Sequence, residues 1–393
     1  MTGAVSPLPV GSGGSAPPLA DLLGRPGTGA VLLAGSKDPN AKVTVVLLDA
    51  FGPSFVVKVP TTGAAAEVVR SEGALLDGLT ELGLGSLATT LPRPVGYLAV
   101  EGLPALVSTA LTGTPMSVRY HAWRHTARRR RVRADFAAAG RWLADLQRRT
   151  AGPPAPVTLL ADSIRAIEAR FPGHSGVSGL RRHTAAAARL SACSTPRTVV
   201  HGDYWFGNLL LERGRVAGVV DWECGSLRGE PLRDVARFAV SYALYLDRHV
   251  RPGRRIPGHR GLRAGTWGVG VVHAWTGRSW FGRLVRRYLT DALERLELPG
   301  DLWQDVLVAG VADVVATADH PDFALSHLDL LLRLVPADAE PEAPEAIGET
   351  MEQPVVAVPS PPSMAGVAQV TVTAVGVASV PSAGGPDVAQ APT

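Results

Sequence analysis

Short apolar runs rich in valine and leucine occur along the first hundred residues, and they predict strands. A longer segment, Ala64–Leu79, separates them, and its apolar residues recur at helical spacing. Several strands and one helix are therefore predicted before residue 115. The strand candidates are Val31–Ala34, Lys42–Leu48, Phe55–Val59, Gly96–Val100 and Ala105–Thr109.

Helical spacing of apolar residues dominates the remainder of the chain, which predicts a mainly helical second part. The segment Arg119–Arg133 is rich in arginine and is predicted to be a helix surface. Its two histidines, His121 and His125, are interpreted as part of that surface and not as metal ligands. Further helices are predicted over Phe136–Leu146, Ile164–Phe171, Leu180–Leu190, Leu302–Ala316 and Phe323–Leu334.

One charged residue stands inside an apolar strand. Lys58 lies within Val56–Val59, and strand alternation puts it on the same face as Val56. Lysine is rarely placed inward without a partner. Glu72 can supply one, because it lies four positions after Val68 on the apolar face of the predicted helix. An ion pair between Lys58 and Glu72 is predicted; the alternative is an edge-strand lysine that reaches solvent.

The stretch after Thr198 combines a predicted hairpin with acidic and amide side chains. Asp203 precedes Asn208 by five positions, and Asp221 follows the second of two apolar runs joined by a turn at 212–215. A hairpin brings its open ends together, so Asn208 and Asp221 are expected to lie close to each other, with Asp203 on the entering loop. Two oxygen ligands with a third carboxylate beside them suit Mg²⁺ and a hydroxyl nucleophile.

The HGD sequence at 201–203, the asparagine at 208 and the DWE sequence at 221–223 together resemble the aminoglycoside phosphotransferase and choline kinase family, small-molecule relatives of the protein kinases. The resemblance covers about residues 30–335. It implies an α+β, bilobal protein-kinase-like fold, with a small β-rich N-lobe that contains one helix and a larger, mainly helical C-lobe. It also implies a phosphotransferase that moves the γ-phosphate of ATP to a hydroxyl of a small molecule, such as a sugar, a polyol, an amino alcohol or an antibiotic. ATP and Mg²⁺ are the implied cofactors.

The resemblance also implies roles for individual residues. Asp203 would orient and deprotonate the hydroxyl of the acceptor, and Asn208 and Asp221 would hold Mg²⁺. Glu223 is a further candidate ligand, for a second ion. Lys58, supported by Glu72 as predicted above, would hold the phosphates of ATP.

Two more elements follow from the resemblance. Backbone groups between Val107 and Leu111, including Thr109, would bind the adenine edge where the chain connects the two lobes. Asp234, on the helix that follows the DWE sequence, would tie that helix to the catalytic loop. His201 is interpreted as ordering this loop and not as moving protons.

Changes in composition suggest four segments. Residues 1–25, rich in Gly, Pro, Ser and Ala, are predicted to be a disordered lead-in, and the acidic, Pro-, Ala- and Val-rich residues 336–393 a disordered tail. Between them, residues 26–115 are expected to form the ATP-binding N-lobe. Residues 116–335 are expected to form the C-lobe with the catalytic loop and the acceptor site.

Composition excludes several protein classes. The 393 residues contain only two cysteines, so no disulfide framework is expected, and no P-loop motif occurs. Neither an N-terminal signal nor a membrane span is evident, and a cytoplasmic protein is expected. Seven of the 35 acidic residues follow the last basic residue, Arg333. The part before them therefore carries 39 basic and 28 acidic residues, a formal charge of +11.

The arginine-rich segment Arg248–Thr290 bears on the acceptor. It contains ten arginines and no acidic residue. Polycationic aminoglycosides suit acidic pockets, so a neutral or anionic acceptor such as a sugar, a polyol or a phosphorylated metabolite is favoured; a solvated basic surface is an equal alternative. Two other functions stay open, a kinase-like protein that binds nucleotide without turnover and a basic binder of nucleic acid or anionic membranes, although no specific nucleic-acid partner is expected.

Overall fold

The computed structural model describes residues 29–33 and 41–334. The predictions of a disordered lead-in over 1–25 and of a disordered tail over 336–393 lie outside these residues. Within them, the chain forms a small β-rich part followed by a larger helical part, and the predicted fold class is confirmed.

The β-rich part is built on five antiparallel strands, which are β1 (Gly29–Leu33), β2 (Lys42–Asp49), β3 (Gly52–Pro60), β4 (Pro94–Val100) and β5 (Leu103–Thr109). They lie in the order β1-β2-β3-β5-β4. Branched apolar residues on one side of the sheet pack into a small core that includes Val45, Val57 and Val107. Helix α1 (Gly63–Glu81) packs near β3 and β5 and begins where the Thr62 hydroxyl accepts a hydrogen bond from the N–H of Ala65.

The larger part is mainly helical. Its described helices are α2 (Met116–Tyr120), α3 (Arg129–Thr150), α4 (Leu159–Arg170), α5 (Thr184–Ser191), α6 (Leu232–Leu244), α7 (Val269–Trp275), α8 (Trp280–Arg295), α9 (Trp303–Thr317) and α10 (Pro321–Arg333). Short 3₁₀ helices cover Gly85–Thr90, Ser175–His183 and Gly300–Leu302.

Helix α9 is the central helix of this part. Its apolar side chains are buried around most of its circumference, and it packs against α4, α6 and α10. Its two buried acidic side chains are paired, Asp305 with Arg189 at 2.7 Å and Asp313 with Arg233 at 3.0 Å. No helix within the described residues has both the length and the apolarity to cross a membrane.

Short strands frame the loop that precedes Asn208. The predicted hairpin is present as β10 (Leu209–Glu212) and β11 (Arg215–Val219), and β6 (Thr114–Pro115) pairs with its outer edge. Strand β9 (Thr198–Val200), which leads into Asp203, pairs with β12 (Ser226–Gly229). The remaining short strands are β7 (Pro154–Pro156) and β8 (Ser194–Pro196).

The prediction of a helix surface around His121 and His125 is wrong. The chain forms turns from 121 to 127, and helix α3 begins only at Arg129. His125 is buried, with its Nε2 2.6 Å from the buried carboxylate of Asp135. His125 is therefore buried against Asp135, ten positions along the chain, although arginines surround it in the sequence.

Candidate active site

Asp203 lies on the loop after β9, and the start of this loop is held by one buried carboxylate. Asp234 of α6 accepts hydrogen bonds from the backbone N–H of His201 at 2.7 Å and of Gly202 at 2.8 Å. Burial raises the pKa of Asp234, and these two donors oppose that rise. Asp234 therefore ties the helix to the loop, as predicted.

His201 orders the loop from within. Its Nε2 lies 2.9 Å from the carbonyl of Val220, to which it donates, and its Nδ1 accepts from the N–H of Asp203 at 3.2 Å. Gly202 has a φ of 80°, and an added Cβ there would lie 2.0 Å from the carbonyl oxygen of Cys224. The loop before Asp203 thus requires glycine at this position.

The hairpin brings Asn208 to the start of the DWE sequence, since the N–H of Val220 donates to the carbonyl of Asn208 at 3.0 Å. The side-chain amide of Asn208 donates to Asp203, at 3.0 Å from its carbonyl and 3.2 Å from Oδ2. Asp221 adopts a left-handed φ of 70° immediately beyond the hairpin. Asp203, Asn208 and Asp221 therefore belong to one connected arrangement.

Lys58 joins the β-rich part to this arrangement. Its ammonium lies 2.6 and 2.7 Å from the two oxygens of Glu72 and 2.7 Å from Oδ1 of Asp221. Glu72 is only 2% exposed and also accepts from the N–H of Trp222 at 3.0 Å. Burial alone would lower the pKa of Lys58, but the two carboxylates outweigh it and raise that pKa. Burial would raise the pKa of Asp221, yet Lys58 lowers it to about 2.

Glu223 pairs with a lysine that the sequence analysis did not single out. Lys42 of β2 forms an ion pair with the Glu223 carboxylate, and burial lowers the pKa of Lys42. Thr44 is the register partner of Lys58, and Lys42 lies two residues from Thr44. The two lysines thus extend from the same face of the sheet.

The predicted adenine-binding residues lie at the end of β5 and in the connector after it. Val107 is buried in the small core of the sheet. The N–H of Thr109 donates to the carbonyl of Arg93 at 2.9 Å, and the Thr109 hydroxyl accepts from the N–H of Arg93 at 3.0 Å. Leu111 lies close over Gly218 of β11, where an added Cβ would come within 3.0 Å of it. The connector therefore runs beside the hairpin of β10 and β11.

A cavity of about 140 Å³ opens beside Asp203. Its walls come from the loop after Asp203 and from α6, α9 and α10, and none of its lining residues belongs to the segment 248–290. The lining residues are Asp203, Trp205, Arg237, Val240, Ser241, Leu244, Tyr245, Val314, Phe323 and His327.

Arg237 contacts the predicted base Asp203, and no prediction was made for it from the sequence. Its Nε and Nη2 lie 2.8 and 2.6 Å from Oδ1 of Asp203. Arg237 follows Asp234 by three positions on α6, so the two side chains share one helix face. Since Asp234 was already predicted to face the catalytic loop, this spacing was the available signal.

The residues at the hairpin suit a magnesium ion. The Nδ2 of Asn208 is used by Asp203, so the amide oxygen is left as a ligand. Asp221 has a second oxygen beyond the one that contacts Lys58. Ligand oxygens of Glu72, Asp221 and Glu223 lie within 4.8 Å of one another. Oxygen donors of this kind are those that Mg²⁺ prefers.

Proteins similar to the chain are found among family models and solved structures. The model of the phosphotransferase enzyme family matches residues 40–269. The chain is similar to the streptomycin–ATP ternary complex of aminoglycoside phosphotransferase APH(2'')-IIa, with 15% identity, a TM-score of 0.44 and coverage of 80% of this chain and 94% of that one.

Two further solved structures are similar to the chain. Macrolide 2'-phosphotransferase MphH from Brachybacterium faecium is 15% identical, with a TM-score of 0.44 and coverage of 82% and 97% of the respective chains. Aminoglycoside phosphotransferase APH(3'')-Id from Streptomyces rimosus is 18% identical, with a TM-score of 0.39 and coverage of 77% and 92%. No curated protein sequence matches the chain.

Proposed function

The chain belongs to the phosphotransferase enzyme family, and from this premise we propose that it transfers the γ-phosphate of ATP to a hydroxyl group of a small molecule. The observation that carries the proposal is the convergence of Lys58, Asn208 and Asp221 beside a loop carboxylate that borders a cavity. A phosphate-binding cation, oxygen ligands for a metal and a base near the acceptor are what phosphoryl transfer requires.

In the proposed reaction, Asp203 orients the hydroxyl of the acceptor and accepts its proton. The hydroxyl oxygen forms a bond to the γ-phosphorus, the bond from that phosphorus to the bridging oxygen breaks, and ADP leaves with the electron pair. Lys58, held by Glu72, binds the phosphates. The backbone between Val107 and Leu111 binds the adenine edge.

Asn208 and Asp221 would hold Mg²⁺, which would neutralise charge on the phosphates. Glu223 forms an ion pair with Lys42. This ion pair would have to break before the Glu223 carboxylate could bind a second metal ion. The amide of Asn208 has an additional role in this scheme, because its donation to Asp203 fixes the direction of the base.

The acceptor that fits the cavity is compact and is not a polycation. Asp203 is the only acidic residue among the described lining residues, and it is already paired with Arg237. Burial lowers the pKa of His327 to about 4, so this residue is neutral at pH 7. A volume of about 140 Å³ is below the roughly 300–1,000 Å³ of ordinary ligand pockets. We therefore favour a neutral or anionic sugar, polyol or related metabolite.

The test is transfer of label from γ-labelled ATP with Mg²⁺ to sugars, polyols, amino alcohols, sugar phosphates and aminoglycosides. Label on a hydroxyl compound that disappears with Asp203→Asn, while nucleotide binding is retained, is the expected result. Nucleotide binding without transfer to any compound would favour a non-catalytic protein. Absence of nucleotide binding would overturn the assignment of Lys58, Asn208 and Asp221.

A further inference from the structure

Arginines from two distant parts of the sequence share one surface of the helical part, and the proposed reaction does not use them. We propose that this surface binds the acidic segment 338–352 of the same chain. The inference goes beyond the proposed function and does not depend on it. The surface is called the basic face, and its exposed arginines are Arg124, Arg128, Arg129, Arg130, Arg131, Arg133, Arg251, Arg254, Arg255, Arg260 and Arg263.

The two segments that carry these arginines pack against each other. The Nε2 of His259 donates to the carbonyl of Thr126 at 3.1 Å. The indole N–H of Trp280 donates to the carbonyl of Gly258 at 2.9 Å, and the guanidinium carbon of Arg129 lies 5.6 Å from the centre of the Trp280 ring. The arginines before and after residue 200 therefore belong to one continuous surface.

The positive charge of the basic face is not balanced locally. Residues 119–133 and 248–290 contain no aspartate or glutamate. Within the part of the chain that the structure describes, no arginine of the basic face forms an ion pair. Arg255, Arg260 and Arg263 border a cavity of about 320 Å³. Because like charges at such a surface repel one another, carboxylates bound among them would be stabilising.

The N-terminal end of α3 adds to this attraction. Four consecutive arginines, residues 128–131, form its N-cap and first turn, and this helix is 22 residues long. Among the described residues of the helix, the N-cap Arg128 forms no side-chain capping hydrogen bond and the first turn has no acidic side chain. A helix N-terminus has backbone N–H groups without intrahelical partners and a partial positive charge. Anions are therefore favoured at this end, and cations are disfavoured.

The sequence beyond the described residues has the complementary charge. No basic residue follows Arg333. Six acidic residues occur between positions 338 and 352, namely Asp338, Glu340, Glu342, Glu345, Glu349 and Glu352. This acidic segment is the occupant that charge complementarity favours.

The described chain ends close to the basic face. The guanidinium of Arg333 donates to the carbonyl of Trp267, which follows Arg263 by four positions. From Leu334 to Glu352 there are 18 residues (352 − 334), which can span about 60 Å when extended. The whole acidic segment is therefore within reach of the basic face.

The covalent connection makes weak contacts sufficient. A single exposed ion pair contributes little, but a segment that is tethered beside its binding surface has an effective concentration of about millimolar. Several carboxylates can then bind together. Because the Debye length falls to about 3 Å at 1 M salt, we expect high salt to release the segment.

Zero-length carbodiimide coupling tests the contact in the full-length protein. The chain has only three lysines, all within the first sixty residues, so a lysine introduced into the basic face reports its own neighbours. Arg130→Lys retains the charge. We expect mass spectrometry to find this lysine joined to the acidic segment at least tenfold more often than the lysine of Arg70→Lys, an exposed position on α1. Addition of 1 M NaCl should remove the difference.

The second measurement is the affinity for heparin, a polyanion that competes for the basic face. A full-length variant in which the six acids of the acidic segment are replaced by amides is expected to bind heparin at least tenfold more tightly than the wild type. The control makes the same change of charge at six exposed acids of the described residues and should stay within threefold of the wild type. These acids are Glu81, Glu101, Glu168, Glu294, Glu297 and Asp301.

Several results would overturn the inference. Equal coupling in Arg130→Lys and Arg70→Lys, or equal heparin affinity of the wild type and the amide variant, would show that the acidic segment does not cover the basic face. Coupling between two chains would assign the face to the segment of a second copy. Single-stranded DNA bound equally well by the wild type and the amide variant would make it a nucleic-acid surface. Neither measurement involves phosphate transfer, so failure of the proposed function would leave both interpretable.

Discussion

The ammonium of Lys58 on β3 lies between the two carboxylate oxygens of Glu72 on α1, at 2.6 and 2.7 Å. The same ammonium contacts Asp221, beyond the hairpin of β10 and β11. A single lysine thus links the sheet, its helix and the hairpin. Because Glu72 is buried, removal of this cation is expected to affect folding as well as the nucleotide binding proposed for Lys58.

Lys58→Met is expected to reduce phosphate transfer at least a hundredfold and to lower the free energy of unfolding by about 3–5 kcal/mol, because it leaves Glu72 buried without its cation. The double variant Lys58→Met/Glu72→Met should regain much of the stability and none of the activity. Urea unfolding and label transfer measure the two effects.

The control for this variant is Arg70→Met, which removes the exposed pair between Arg70 and Glu67 on the same helix. Exposed pairs contribute about 0–1 kcal/mol, so this change should be small. A Lys58→Met protein as stable as Arg70→Met would contradict the structural role assigned to Lys58.

Removal of metal is expected to abolish transfer. Excess EDTA should stop the reaction and added Mg²⁺ should restore it. Asn208→Ala should raise the Mg²⁺ concentration for half-maximal activity at least tenfold, because one oxygen ligand is lost. Asn208→Asp retains a ligand but places a second carboxylate beside Asp203, so it should lower kcat instead.

The same titration with Glu223→Gln tests the remaining candidate ligand. An unchanged Mg²⁺ requirement would assign the Glu223 carboxylate to Lys42 alone, in agreement with their ion pair. Activity that persists in EDTA with no metal in the protein would contradict the magnesium site.

Asp234 gives a stability prediction. Asp234→Ala leaves the N–H groups of His201 and Gly202 without their acceptor in a buried place, at a cost of about 2–5 kcal/mol. Asp234→Asn retains one acceptor oxygen and should cost less. Asp291→Ala on the exposed side of α8 is the control, and it should change the unfolding free energy by under about 1 kcal/mol. Equal urea midpoints for the three variants would refute this role.

The parts of the site that lie close together in the sequence could be predicted. A hairpin fixes the positions of its own ends, so the spacing of Asn208 and Asp221 was sufficient to place them together. Strand alternation and helix periodicity each assigned a face, and these faces brought Lys58 to Glu72. Periodicity therefore placed Lys58 and Glu72, hairpin closure placed Asn208 and Asp221, and the roles of the other site residues came from the family resemblance.

The residues that escaped prediction depend on tertiary placement. Lys42 meets Glu223 only because β2 pairs with β3 in a particular register. Arg237 meets Asp203 because α6 packs beside the loop that carries Asp203. His125 appeared solvated among arginines, but its partner Asp135 is buried. The residues that surround a position in the sequence do not determine which residues contact it in the folded protein.

Gly202 provides a last prediction about the placement of Asp203. Gly202 and Gly214 both have left-handed backbone, with φ of 80° and 75°, so alanine at either position carries a conformational cost of about 1–2 kcal/mol. Only at Gly202 would the new Cβ collide, at 2.0 Å from the carbonyl oxygen of Cys224, whereas nothing lies within 4 Å at Gly214. Gly202→Ala must therefore shift the loop or the chain after Asp221, and misplacement of the base by about 1 Å can cost about a hundredfold in rate.

We expect Gly214→Ala to retain kcat within threefold and Gly202→Ala to lower kcat at least a hundredfold. Circular dichroism establishes whether each variant is folded. A folded Gly202→Ala protein with normal kcat would show that the contact with Cys224 does not position Asp203.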